Sequence, residues 1–141
     1  MVNSAAAMKK YGHPKTNETK HMILWDVPAH LEIGVLPNRL YCNRDMIGPL
    51  SKAFGLLISR ELVDDIKTWD GCFNIRPMKG TMATPSLHSW GIAIDIDAAW
   101  NGFKKKPTMS KAVVACFKEA GFDWGGNWDT KDGMHFQLSV I

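Results

Sequence analysis

Apolar residues recur at helical spacing in two stretches of this chain and alternate with polar residues in several shorter ones. Across residues 44–60, Met46, Leu50, Ala53, Phe54 and Leu57 fall on one helical face, with Asn43 placed to cap it and Pro49 early enough for a first turn. Val113, Val114, Phe117 and Ala120 mark a second helix, opened by residues 107–110 with Thr108 or Ser110 as cap and closed by Gly121. Residues 65–70 alternate polar with apolar and predict a strand closed by Gly71; residues 92–96 predict another. Residues 122–124 and 134–140 add short strands around a Gly125-Gly126 turn, while Gly80 and Pro85 make residues 78–85 a loop. The order mixes helices and strands without a regular βαβ rhythm. It predicts an α+β fold, a small antiparallel sheet flanked by helices.

Residues 1–20 are rich in Ala, Lys, Asn and Thr with little apolar periodicity, so they read as an N-terminal arm, with residues 21–141 as one domain. The folded part is expected to start near Met22 and to continue through an extended segment at residues 39–42. No run approaches the about 20 apolar residues that a bilayer span requires. No apolar h-region follows Lys9 and Lys10, so the chain is expected to lack a signal peptide and to be made in a cytoplasm, as a monomer. Three cysteines, Cys42, Cys72 and Cys116, are odd in number and widely spaced, which predicts reduced thiols packed in or near the core. The net charge of +3 favours approach to an anionic surface such as a cell wall. The lysines are scattered and Lys104-Lys105-Lys106 reads as a solvated loop, so no nucleic-acid partner is expected.

The chemistry concentrates in Ser86-Leu87-His88-Ser89-Trp90-Gly91-Ile92-Ala93-Ile94-Asp95 and in Asp132-Gly133-Met134-His135-Phe136-Gln137. Two imidazoles and one carboxylate make a metal set, and three protein ligands that leave a fourth position open are how catalytic zinc is held. Gly91 supplies the bend that lets a loop histidine and a strand aspartate converge. Taken singly, His88 and His135 read as hydrogen-bonded structural histidines rather than ligands. Asp97, two residues beyond Asp95, is a rival ligand by strand alternation. Asp132 reads as a turn residue unless His135 binds a metal, in which case its carboxylate is within reach of an attacking water. Arg76, at a predicted strand end, is either a surface residue or a fixed charge for a substrate carboxylate or scissile carbonyl. Trp90, Trp100 and Trp128 serve either substrate or core.

The pattern Ser-x-His-x-x-Gly-x-Ala-x-Asp, met by Ser86, His88, Gly91, Ala93 and Asp95, then Trp-Gly-Gly and Asp-x-x-His-Phe-Gln, resembles the zinc peptidases of the D-alanyl-D-alanine carboxypeptidase family. That family includes VanY-type carboxypeptidases and phage endolysins that are L-alanyl-D-glutamate endopeptidases, and its core recurs in the hedgehog signalling domain. The resemblance covers residues 65–138 and, more loosely, the preceding helix. It implies a hedgehog/D-Ala-D-Ala peptidase-like fold and Zn2+ held by His88, Asp95 and His135, with Asp132 as catalytic carboxylate. Arg76 matches the family's substrate arginine, although Asn74-Ile75-Arg76-Pro77 stands where the family usually has Gly-Tyr-Arg-Ser. Ser86 matches a serine that supports the ligand loop; Trp124, Gly125 and Gly126 match a segment that lines the cleft.

The function expected on that basis is hydrolysis of a stem-peptide bond of peptidoglycan by a phage endolysin released to the cell wall. The bond expected is L-Ala-D-Glu, with the terminal D-Ala-D-Ala as the alternative. A non-catalytic zinc-binding module of the same fold is the competing class, and Asp132 argues against it.

Overall fold

The computed structural model describes residues 1–141. A hairpin of β1 (Met22–Asp26) and β2 (Arg39–Asn43) stands apart from a four-stranded antiparallel sheet. That sheet has the order β3 (Trp69–Gly71), β4 (Ala93–Ile96), β6 (His135–Leu138), β5 (Phe122–Trp124). The architecture is α+β, as the mixed element order predicts. No helix is long and apolar enough to cross a membrane.

Helix α3 (Ile47–Ser59) buries Leu50, Ala53, Phe54 and Leu57, the face that helical spacing singles out. Asn43 caps the short 3-10 turn that leads into it, accepting a hydrogen bond from the Asp45 N–H. Pro49 then falls in the first turn of α3, where a missing N–H has no intrahelical partner to lose. Helix α4 (Lys111–Glu119) is capped by the Ser110 hydroxyl and buries Val113, Val114, Cys116 and Phe117. Phe117 lies against Phe136 of β6 and Phe122 of β5, and Phe54 of α3 packs between Trp25 and Trp69. One face of the sheet is therefore closed by helices. Period-two alternation sends Ile94, Ile96, Phe136 and Leu138 into this core and turns Asp95, His135 and Gln137 to the other face.

Two sequence expectations need correction. Residues 1–20 are not an arm apart from the fold: they form helices α1 (Ser4–Tyr11) and α2 (Pro14–Lys20). Caps rather than apolar periodicity define them, with Asn3 accepting from the Ala6 N–H, Gly12 ending α1 at φ 78° and Pro14 opening α2. Polar contacts dock them. Asn17 is fully buried and joins Asn43 at the Trp90 carbonyl, the Trp90 indole donates to the Gly12 carbonyl, and Tyr11 donates to Asp45 at 2.6 Å. The strand expected over residues 65–70 shrinks to Trp69–Gly71, following a 3-10 turn at Val63–Asp65. The Asp97 carboxylate accepts from both the Lys67 and the Thr68 N–H and so holds that stretch in a loop.

The three cysteines are buried and unpaired, as expected. Burial pushes the Cys42 thiol up to about 12 and the Cys72 thiol well above its ordinary value.

Candidate metal centre

The ligand loop begins at Ser86, whose hydroxyl accepts from the His88 N–H and caps a 3-10 turn spanning Leu87–Trp90. Gly91 ends that turn at φ 66°, ψ 27°, the left-handed region that favours glycine. A Cβ there would stand 2.6 Å from Met22 Sδ and 2.8 Å from the Asn43 backbone nitrogen. The tight turn brings His88 back over β4, whose Asp95 is the register partner of His135 on β6. Loop and two neighbouring strands thus deliver three side chains to one point.

His88 Nε2 lies 3.2 Å and His135 Nδ1 3.6 Å from the same oxygen, Asp95 Oδ1. The potential ligand atoms of the three residues all fall within 4.8 Å of one another. The two imidazole planes are close to perpendicular, with centroids 5.2 Å apart. Side-chain exposures of 4%, 8% and 14% for His88, His135 and Asp95 put the cluster almost out of water's reach. Even so, His88 Nε2 and Asp95 Oδ1 are buried without a hydrogen bond, because their alignment fails although the distance is short. Two orphaned lone-pair atoms at such a point are costly unless a cation satisfies both. Burial pushes the Asp95 carboxyl up, but the His135 and His88 imidazoles packed against it, when protonated, outweigh that and hold Asp95 well below the usual carboxylate range. The residues therefore fit a cation, and two imidazoles with one carboxylate are a donor set for zinc or another transition ion.

The remaining predicted residues divide into those at the site and those behind it. Asp132 is buried at the rim of a cleft of about 310 Å³ that it shares with His135, Arg76 and Ser86. Its Oδ1 pairs with Lys79 Nζ at 3.2 Å, and its carbonyl accepts the His135 N–H. Arg76 lines the cleft half-buried, its guanidinium on the Pro77 carbonyl and its backbone tied to the Ser89 hydroxyl. Trp124, Gly125 and Gly126 do not line the cleft, contrary to the sequence expectation. They stand behind it: the Trp124 indole donates to the Gly133 carbonyl, and a Cβ on Gly125 would run into the Asp132 carbonyl oxygen. Their work is to shape the Asp132–His135 turn.

Asp97 is excluded as the rival ligand. It leaves β4 with φ 50°, out of strand alternation, and spends its carboxylate on Lys67 and Thr68. Of the three tryptophans, Trp90 is core, Trp100 lies under the Lys67 ammonium, and Trp128 lines the cleft 5.4 Å from the His135 ring. Lys79 was not anticipated. It sits in a loop with no periodicity, and only its distance to Asp132 reveals it.

Residues 79–138 match the family model described as D-alanyl-D-alanine carboxypeptidase. No solved structure matches the chain. The matched segment, somewhat under half of the chain, contains His88, Asp95, Asp132 and His135 but leaves out Arg76 and the N-terminal helices. Its sequence and the buried His-Asp-His cluster agree, and on both grounds this part of the chain is similar to the D-alanyl-D-alanine carboxypeptidase family of metallopeptidases, which are hydrolases.

Proposed function

We propose that the protein is a zinc-dependent peptidase that hydrolyses a stem-peptide bond of peptidoglycan, with L-Ala-D-Glu as the bond cleaved. The observation that carries this reading is the convergence of His88, Asp95 and His135, two of their ligand atoms orphaned, at a cleft whose rim holds the buried carboxylate of Asp132. The same donor set also suits ferrous iron; the family match favours zinc. His88, Asp95 and His135 would hold the zinc, which when bound would supply acidification of a water and polarisation of a carbonyl. Asp132 accepts the proton of the attacking water on its carboxylate and returns it to the leaving amine. Lys79, 3.2 Å away, keeps that carboxylate facing the cleft. Arg76 offers a fixed guanidinium to a substrate carboxylate or to the oxyanion that develops at the scissile carbonyl. Trp128 shields His135 on the cleft side.

The description of the matched family favours a second reading, removal of the terminal D-Ala. Digestion of purified peptidoglycan and mass spectrometry of the products separate the two. Release of stem peptides beyond L-Ala supports the endopeptidase, and loss of a single alanine from pentapeptides supports the carboxypeptidase. Products that are the same for wild type and Asp132→Ala would sink both and leave a non-catalytic zinc module. The biological setting we propose is that of a monomeric phage endolysin, made in the host cytoplasm and acting at the cell wall. Lysis of bacteria on exposure of their walls to the purified protein, and its absence with Asp132→Ala, test that setting.

A further inference from the structure

Each imidazole of the cluster must keep one nitrogen bare to ligate a cation, and the hydrogen bond at its other nitrogen decides which. For His88 the partner is the Cys72 carbonyl, 2.6 Å from Nδ1. A carbonyl only accepts, so Nδ1 carries the proton and Nε2 faces Asp95 with a free lone pair. His135 is turned the other way round, Nδ1 toward Asp95 and Nε2 3.0 Å from Gln137 Oε1. An amide can present either end, and that contact alone does not assign the proton. The far end of the amide does: Gln137 Nε2 donates to the Val2 carbonyl at 2.8 Å. The Val2 carbonyl can only accept, so the amide nitrogen faces it, the amide oxygen faces His135, and His135 donates from Nε2.

We propose that residues 1–4 and Gln137 act together as positioning elements of the metal centre, fixing His135 in the tautomer whose Nδ1 is free to ligate. The relay is dry, with Val2 9%, Gln137 3% and His135 7% exposed, so water does not replace its bonds. It is also anchored at both sides. Asn3 caps α1, the Ser4 hydroxyl donates to the Pro85 carbonyl at 2.5 Å, and α1 and α2 are docked on the Trp90 turn that carries His88. Residues 1–4 line the same cleft as Asp132, so one segment borders the substrate and orients a ligand.

This inference rests on the zinc reading, and its test separates the two. In the full chain stripped of metal, at a pH where both imidazoles are neutral, long-range proton–nitrogen spectra are expected to show His135 protonated at Nε2 and His88 at Nδ1. Gln137→Met keeps the volume and removes the acceptor; it is expected to mix the His135 tautomers and to weaken zinc binding about 10- to 100-fold in a chelator competition. Gln137→Glu restores the acceptor and is expected to recover most of that loss. Removing residues 1–3 leaves every ligand in place and is expected to weaken zinc binding several-fold while unfolding stays cooperative. Gln137→Met with wild-type tautomers, or with zinc affinity within about twofold of wild type, overturns the relay. A truncated chain that is cooperatively folded and binds zinc like wild type overturns the part given to residues 1–4. Failure of the wild type to bind zinc overturns the metal reading instead, and the spectra still decide the relay.

Discussion

The ligand cluster and the rim of its cleft lie a few ångströms apart and are built on opposite plans. His88, Asp95 and His135 stand on a capped turn and two paired strands, each nearly buried, with their free atoms aimed at one another and at no protein partner. Arg76 and Lys79 stand on a loop pinned by the Pro77–Pro85 bridge and a turn between Met78 and Thr84. Both are half-exposed and already paired, Arg76 with its neighbour's carbonyl and Lys79 with Asp132. A ligand set has to be right before the ion arrives, and a rigid dry scaffold holds its geometry without reorganisation. A rim has to yield to a substrate and exchange its contacts for new ones.

The largest expected effect is at the scaffold. His88→Ala or Asp95→Ala is expected to abolish zinc binding, measured by metal analysis, and to bring peptidoglycan hydrolysis down to background. Retention of stoichiometric zinc by either variant would break the three-ligand assignment. Asp132→Asn should leave zinc in place while turnover falls about 10²- to 10⁴-fold, the usual worth of a general base. If zinc is lost along with activity, Asp132 belongs to the scaffold and not to the rim chemistry. Gly91→Ala is expected to cost about 1–3 kcal/mol, read from the denaturant midpoint, because a side chain is strained at φ 66° and its Cβ meets Met22 and Asn43. Arg76→Ala is expected to raise KM about tenfold with little change in zinc affinity, as the loss of one charge-assisted contact implies.

The smallest effect concerns dryness. With the Cys42 thiol pushed up to about 12 by burial, alkylation near pH 8 should follow unfolding rather than thiol concentration. Unfolded chains ionise this thiol near its ordinary value of 9.0 and the folded protein does not. The linked stability is therefore complete below about pH 9 and declines as pH rises toward about 12. Fast alkylation of the native protein would show that water reaches the layer beneath His88, where the neighbouring Cys72 gives its carbonyl to the imidazole.

Periodicity and motif spacing made the scaffold legible in the sequence. Helix α3, helix α4, β4 and β6 follow patterns of 3.6 and 2, and Gly91 marks the bend between His88 and Asp95. What stayed hidden depends on contacts without a local signature. Helices α1 and α2 have weak apolar faces and are held by Asn17, Tyr11 and the Trp90 indole, contacts that span up to 78 positions. Their caps, Asn3, Gly12 and Pro14, are residue types common at helix ends, but a polar composition supplies no apolar face to accompany them. Asp97 looks like a strand ligand until its left-handed backbone is seen. Trp124 and Gly125 carry motif weight that is compatible with lining a cleft or backing one, and only packing distinguishes these.

Asp95 and His135 are partners across adjacent strands. A slip of one residue between β4 and β6 would leave one of the pair on the cleft face and send the other into the core. Metal uptake would then be a register check: only strands that have paired correctly would bring the ligands together, and a misaligned chain would have no centre to fill. Capacity for metal during refolding should track native pairing of these two strands, which would make the ion a reporter of assembly.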